Sequence, residues 1–261
     1  MKALKILLVL FAFTSVSFAK SGLELGIFVP LGIGVGIHYY NKPPSTLNKA
    51  QSNTYNNYIS NNTMTSQAGF EAEVLFQAGY RLELNSDMSF SFMGEFGYSR
   101  DTLNYRGNDI NTNSLALRMQ KYKYYNFDSI VIGLLPKFNY QRFSIGIGFG
   151  MKIIIGGTFN DSSYNKLLGY STETIKMINT KNYKDYFSSN IIPYLKVTID
   201  YAVYTSAKFD FVVGAYLGYD FALKYPSSVG KINNTQVDVP IGNMSSVDLG
   251  IQIGTKIRPM N

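Results

Sequence analysis

Apolar and polar side chains alternate with a period of two in eight separate segments of this chain. The fifth segment shows the pattern most clearly, because bulky apolar residues occupy every odd position from Phe143 to Ile155 while Ser144, three glycines and Lys152 occupy the even positions from 144 to 152. Successive side chains of a β-strand point to opposite faces. The pattern therefore predicts eight strands, each with one apolar face and one face of glycines and charges.

The connections between these segments are alternately long and short along the whole chain. The long connections are 41–66, 102–126, 158–189 and 225–246, and the short ones are 85–87, 141–142 and 205–207. Short turns on the side of the chain termini and long loops on the other side are typical of an up-and-down barrel. The predicted fold is all-β, an eight-stranded antiparallel up-and-down β-barrel.

The distribution of glycine and charge indicates which face of the barrel is outside. The lumen of an eight-stranded barrel is narrow and filled by side chains, which suits a face that carries glycines. The opposite face of the fifth, seventh and eighth segments has no charged residue, so it suits lipid and predicts a transmembrane barrel. The fourth segment is less regular, because Val131 and Leu135 fall among its polar positions. A secreted lipocalin-like barrel and a soluble sandwich stay open as alternatives.

The N-terminal segment resembles a processing signal. Lys2 and Lys5 precede an apolar run from Ile6 to Phe13, and the small residues Ser17 and Ala19 follow it. This order predicts a signal peptide over residues 1–19, export through the Sec pathway and a barrel domain over residues 20–261. The apolar run is shorter than the ~20 residues of a membrane-spanning helix.

Composition and charge exclude several classes of function. The chain has no cysteine, which excludes a lipoprotein anchor, disulfide bonds, thiolate metal sites and thiol catalysis. The formal net charge of +7 falls to +5 when the two signal-peptide lysines are removed. An exported chain is not expected to bind nucleic acid, so an anionic membrane surface or an anionic glycan is the expected partner.

The inward face carries charges of both signs, and we expect them to pair into a polar plug because isolated buried charges are costly. A continuous ion pathway is the alternative. The predicted lumen charge network comprises Glu24, Glu71, Glu73, Arg81, Glu95, Lys137, Lys152, Lys196, Asp200, Asp210, Asp220, Asp248 and Lys256.

The sequence predicts no catalytic residue, no metal site and no cofactor. His38 is the single histidine, and no serine or carboxylate stands at a fixed catalytic spacing from it. The sequence also lacks the cluster of histidine or cysteine ligands that is typical of a zinc site.

The second long connection ends in basic residues interleaved with tyrosines. This loop segment comprises Lys121, Tyr122, Lys123, Tyr124 and Tyr125. We expect it to contact phosphates or sugars of lipopolysaccharide, or anionic glycans. A solvated loop with an interfacial anchor is the alternative.

The signal segment, the eight alternating strands and the rhythm of the connections together resemble the small outer-membrane β-barrel family of the OmpA and OmpX type. The resemblance implies a closed polar interior, a place in the bacterial outer membrane, and partners that include outer-membrane lipids and the barrel-insertion machinery. It also implies a structural, adhesive or surface-antigen role and no enzymatic activity. A narrow conduit for small solutes or hydrophobic ligands is the alternative, and a lipid-modifying barrel enzyme comes third. The chain differs from such barrels in ending on Asn261 and not on an aromatic residue.

Overall fold

The structure of the protein is a computed structural model that describes residues 21–257 apart from 41, 44, 108–118, 166–169, 207, 225–227, 233–234 and 240–242. The described residues are mostly in strands, and they also contain one α-helix and one short 3₁₀ turn. The strands are β1 (Gly22–Tyr39), β2 (Met64–Glu83), β3 (Met88–Gly107), β4 (Met119–Tyr140), β5 (Phe143–Asn165), β6 (Tyr170–Asn179), β7 (Ile191–Thr205), β8 (Phe209–Lys224), β9 (Ser228–Ile232), β10 (Thr235–Val239) and β11 (Asn243–Ile257).

Eight of these strands close into a ring in which every pairing is antiparallel. The order around the ring is β1, β2, β3, β4, β5, β7, β8 and β11, and β11 pairs with β1 over the register from Leu25 opposite Ile257 to Tyr39 opposite Asn243. The three short turns join β2 to β3, β4 to β5 and β7 to β8. The predicted eight-stranded up-and-down barrel is confirmed.

Three of the long connections contain secondary structure that the sequence pattern did not predict. The first holds helix α1 (Lys49–Asn62), which begins with a capping box between Asn48 and Gln51. The third holds β6, which pairs with the distal part of β5, and the 3₁₀ turn Tyr183–Asp185. The fourth holds the separate hairpin of β9 and β10. In the part of the chain that the structure describes, no helix is long and apolar enough to cross a membrane.

The irregular fourth segment has a simple explanation in the barrel. Ile132 and Leu134 point outward and are 44% and 54% exposed, whereas Val131 and Leu135 are buried in the lumen, on the same face of β4 as Lys137. The alternation of β4 is therefore intact, and the two apolar residues at polar positions contribute to the filling of the barrel.

The outward apolar face has the dimensions of a bilayer. In β5 it runs from Phe143 to Ile155, roughly 40 Å along the strand at ~3.3 Å per residue. With a strand tilt of ~40° this corresponds to roughly 30 Å along the barrel axis, which matches the hydrocarbon core of a membrane.

The outward apolar faces of the ring strands together form an apolar belt around the barrel. The hydrophobic pattern inverts at the end of this belt that is remote from the short turns. Along β3 the outward residues change from Phe96 and Tyr98 to Arg100, and further along the strand the inward residues become Leu103 and Tyr105, both buried. A strand segment surrounded by water requires this inverted arrangement. The inversion therefore marks where the strands leave the apolar belt.

Four strands continue beyond the belt and form what we call the projecting sheet: residues 100–107 of β3, 119–128 of β4, 156–165 of β5, and β6. The prediction of loops over the whole of 102–126 and 158–189 was therefore wrong in part. These strand extensions were not predicted because their buried apolar residues are on the inward face, whereas the prediction relied on apolar residues on the outward face.

Candidate functional site

The end of the lumen near the short turns holds a hydrogen-bonded ion pair. Lys137 Nζ lies 3.1 Å from Asp200 Oδ2, and both side chains are at most 1% exposed. The same ammonium group lies 4.4 Å from the ring centroid of Phe28, and Gln252 donates a second hydrogen bond to Asp200. Full pairing of this kind is what makes a buried charge tolerable.

A second polar layer lies further along the lumen around Glu95. This carboxylate lies 2.8 Å from Lys196 Nζ and accepts hydrogen bonds from Gln77 at 2.8 Å and from the Tyr194 hydroxyl at 3.3 Å. All of these side chains are buried.

Lys152 is the centre of the largest charged cluster in the described lumen. Its Nζ lies 3.1 Å from Glu71, 3.5 Å from Glu73, 3.3 Å from Asp101 and 3.0 Å from Asp220. Oxygen atoms of Glu71, Glu73 and Asp101 come within 4.8 Å of one another, with the ammonium group among them. Lys152 therefore occupies the place that a metal ion would take between these three carboxylates.

Two hydroxyl groups and one further carboxylate complete the Lys152 cluster. Tyr216 donates to Glu71 at 2.7 Å, and Ser246 donates to Asp248 at 3.1 Å. Asp248 lines a small cavity of about 20 Å³ together with Asp220 and Glu71. A space of this size holds about one water-sized particle.

Apolar layers enclose the charged layers. One apolar group contacts Lys137 through Phe28 and Glu95 through Tyr194, and consists of Phe28, Leu75, Val131, Tyr194 and Val212. The other, which we call the apolar cap, lies on the distal side of the Lys152 cluster. The apolar cap consists of Leu103, Tyr105, Tyr125, Phe127, Ile154, Ile178, Phe187, Ile192, Leu223 and Met244.

Glycines on the inward face provide the room for large lumen side chains. A Cβ atom at Gly250 would lie 2.6 Å from the ring of Tyr216 and 2.7 Å from the Cα atom of Gly32. Gly133 and Gly150 accommodate the ring of Tyr194 in the same way. The shared face of glycines and charges in the sequence corresponds to this packing.

The structure buries all of the predicted lumen residues except Arg81, which is partly exposed near the short turns. The sequence interpretation did not include Asp101 in the network. Asp101 occupies an odd position of β3 like Glu95 and Ser99, so the alternation places it on the inward face. It was not predicted because the outward apolar residues of β3 end before it.

The segment from Lys121 to Tyr125 is not a loop, which corrects the sequence interpretation. It belongs to β4, so its side chains alternate between the two faces of the projecting sheet. Tyr125 is buried in the apolar cap, and Tyr122 lies on the outward face opposite Arg106. A strand cannot present all five residues to one ligand.

Three lysines share the inward face of the projecting sheet, which we call the basic face: Lys121, Lys123 and Lys176. Lys176 is directly opposite Phe159, and Lys123 lies 3.6 Å from Asp161. Lys176 is exposed, and Lys121 and Lys123 are partly exposed. Three ammonium groups face one carboxylate there, so the surface carries an excess of positive charge.

His38 lies at the distal end of the lumen and stacks on the ring of Tyr105, with ring centroids 4.0 Å apart and an interplanar angle of 11°. Its neighbours on this side are aromatic residues, including Tyr40. This environment is that of a packed histidine at the edge of the apolar cap.

Comparison with known proteins gives no sequence relative: no protein-family model matches the chain, and no curated protein matches it. Several solved structures are similar in fold. Ail of Yersinia pestis, solved with the heparin analogue sucrose octasulfate, shares 13% identity over 89% of this chain and 99% of that chain, with a TM-score of 0.29. The outer membrane protease OmpT of Escherichia coli shares 11% identity over 94% and 99% of the two chains, with a TM-score of 0.39. Neisserial surface protein A shares 14% identity over 91% and 99%, with a TM-score of 0.30.

Identities and TM-scores this low carry no information on the activity of this chain. The fold rests on the chain itself, on its closed ring of eight strands and its continuous apolar outward face. The chain has the fold of the small outer-membrane β-barrel proteins.

Proposed function

We propose that the protein is a closed outer-membrane surface barrel that binds anionic glycans through the basic face of its projecting sheet. The observation that carries the proposal is the placement of Lys121, Lys123 and Lys176 on one face of a sheet that extends beyond the apolar belt. Long-range attraction to sulfate, carboxylate or phosphate groups follows from such an excess of positive charge. The projecting sheet is the extracellular part of the molecule in this proposal.

The rigidity of the projecting sheet supports a binding role. Its inward face rests on the apolar cap, where Tyr125 stacks on Phe159 with centroids 4.7 Å apart. The Ser163 and Thr172 hydroxyls hydrogen-bond to each other at 2.6 Å beside Lys121. A surface held in place in this way loses little conformational entropy on binding, which favours affinity.

The filled lumen argues against the conduit that the sequence left open. Charged and apolar layers alternate along it, and the cavity beside Lys152 holds only about 20 Å³. A solute path would require displacement of several buried side chains. We therefore assign the function to the surface of the barrel and propose no enzymatic activity.

The proposal is tested by the binding of heparin to the full protein in proteoliposomes. The double variant Lys121→Gln with Lys176→Gln is expected to bind heparin at least about tenfold more weakly, since each lysine near an anionic surface contributes about 1 kcal/mol. The matched control, Arg142→Gln with Lys208→Gln, removes two exposed charges on the side of the short turns and leaves affinity unchanged. Equal weakening in both variants, or no salt dependence of binding, would contradict the proposal.

A further inference from the structure

Two aromatic rings lie next to the basic face. Phe159 is directly opposite Lys176 in the pairing of β5 with β6, and Lys123 Nζ lies 6.0 Å from the centroid of the Phe159 ring. The ring of Tyr186 lies 6.3 Å from that of Phe159, with an interplanar angle of 58°. Both rings are partly exposed and pack against the apolar cap. We call Phe159 and Tyr186 the aromatic platform.

The aromatic platform and the projecting sheet form a corner. Tyr186 does not belong to the sheet, because it comes from the segment after β6 and precedes Phe187, which is completely buried in the apolar cap. The sheet continues past this level, since Asp161 and Thr174 occupy the next inward positions of β5 and β6. The sheet is therefore a wall of the corner and the aromatic platform its floor. Concave sites with an apolar surface and a few polar groups are the usual form of ligand sites.

The side chains of this corner fit a sugar that carries an anionic group. The C–H groups of a pyranose ring are weakly positive and pack on the negative face of an aromatic ring. A sulfate or carboxylate group on the same sugar pairs with an ammonium group, and Lys176 is the exposed one beside Phe159. Oxygen atoms of Asp161 and Thr174, which are at least partly exposed, can accept hydrogen bonds from sugar hydroxyls.

The corner faces away from the lipid that surrounds the barrel. Phe159 and Lys176 are on the inward face of the projecting sheet, whereas the adjacent pair of Thr158 and Met177 is on its outward face. A glycolipid anchored beside the barrel approaches the outward face. The sugar that reaches the corner therefore belongs to a glycan of another surface and not to a lipid of the same membrane.

We infer that the aromatic platform binds a pyranose ring of the anionic glycan while Lys176 binds the sulfate or carboxylate group of that sugar. The inference rests on the proposed function, because the basic face must bind the glycan before a sugar ring can contact the aromatic platform. Attraction by the lysines acts on every polyanion. The aromatic platform acts only on sugar rings, so it makes the protein selective for glycans over other polyanions.

The test compares two polymers on the full protein in proteoliposomes: heparin, a sulfated polymer of pyranose sugars, and inorganic polyphosphate, which has no sugar ring. Tyr186→Leu is expected to bind heparin about fivefold more weakly and to bind polyphosphate within about twofold of the unaltered chain. Leucine keeps an apolar contact with the apolar cap but has no aromatic face. Tyr186→Phe keeps the ring and is expected to bind both polymers like the unaltered chain.

The matched control is Tyr122→Leu, because Tyr122 lies on the outward face of the same sheet and is 37% exposed. This variant is expected to bind both polymers like the unaltered chain. Lipopolysaccharide in the same proteoliposomes is expected not to compete with heparin. Competition by lipopolysaccharide would overturn the assignment to a glycan of another surface.

The outcomes separate this inference from the proposed function. If Lys121→Gln with Lys176→Gln binds heparin like the unaltered chain, the proposed function itself fails. If this double variant weakens heparin binding while Tyr186→Leu weakens the binding of both polymers equally, or of neither, only the role of the aromatic platform is overturned.

A measurement on the unaltered chain remains decisive where Tyr186→Leu does not fold. In about 1 M salt the screening length falls to ~3 Å, so polyphosphate is expected to dissociate completely. Heparin is expected to stay partly bound through its contact with the aromatic platform. Release of both polymers at the same salt concentration would overturn the inference.

Discussion

At the scale of single residues, the inward glycines determine how tightly the lumen can be filled. Gly250 and Gly32 face each other across β11 and β1, and the ring of Tyr216 covers both of them. Gly94 faces outward, and a Cβ atom there would meet only the Ala78 carbonyl oxygen at 3.5 Å. Two glycines in similar strands thus have very different tolerance for a methyl group.

We expect Gly250→Ala to lower the free energy of unfolding by about 1–3 kcal/mol, because the new methyl group meets the Tyr216 ring and the backbone of β1. Urea unfolding in liposomes measures this change. Gly94→Ala is the control and is expected to stay within about 0.5 kcal/mol of the unaltered chain. Equal losses in the two variants would show that the Tyr216 ring does not pack on Gly250.

At the scale of elements, the sequence predicted strands well inside the apolar belt and poorly beyond it. The outward run of β5 from Phe143 to Ile155 was clear because lipid selects uniform bulky side chains. Beyond the belt, the apolar residues Leu103 and Tyr105 lie on the inward face of β3, and the charged residue Arg100 lies on its outward face. In this part of the chain the apolar residues are on the opposite face and polar residues are mixed among them. The sequence therefore looks like that of a loop, although the strands stay paired.

The candidate sites were predictable to a different extent. The inward charges follow from strand parity alone, so the sequence pattern places Lys152 on the same inward face as Glu71 and Glu73, which it contacts in the structure. The apolar cap was not predictable, because Ile178 and Phe187 come from the third long connection. Contacts between remote segments of this kind depend on tertiary structure, which local patterns do not contain.

Phe187 is expected to hold the third long connection against the barrel, because its side chain is completely buried and contacts the rings of Tyr125 and Phe127. Phe187→Ala leaves a cavity in the apolar cap, and removal of a buried phenylalanine costs about 3–5 kcal/mol. We expect faster cleavage of this connection by added protease in intact cells.

The matched control for Phe187→Ala is Ile175→Ala in β6, because Ile175 is 58% exposed and contributes little to packing. Its cleavage rate is expected to equal that of the unaltered chain. A Phe187→Ala protein that resists protease like the control would mean that the segment from 180 to 190 is held by other contacts.

At the scale of the whole molecule, one ring of strands serves two environments. Inside the belt the barrel is apolar outside and charged inside, whereas in the projecting sheet the inward face carries buried apolar residues such as Leu103 and Tyr105 together with the three lysines of the basic face. The Lys152 cluster and the apolar cap meet where the two regimes join, on consecutive inward positions such as Asp101 and Leu103. Among the described residues, the projecting sheet with its basic face lies beyond one end of the apolar belt, and the short turns lie at the other end.

Absence of cysteine from the chain allows the orientation of this arrangement to be measured directly with single cysteines. Two suitable variants are Ser162→Cys and Ser86→Cys. Ser162 lies in the projecting sheet, and Ser86 lies in the short turn between β2 and β3. In intact cells a membrane-impermeant maleimide is expected to label Ser162→Cys, and to label Ser86→Cys only after the outer membrane is disrupted. Labelling of Ser86→Cys in intact cells, or protection of Ser162→Cys, would contradict an outer-membrane barrel whose projecting sheet faces the exterior.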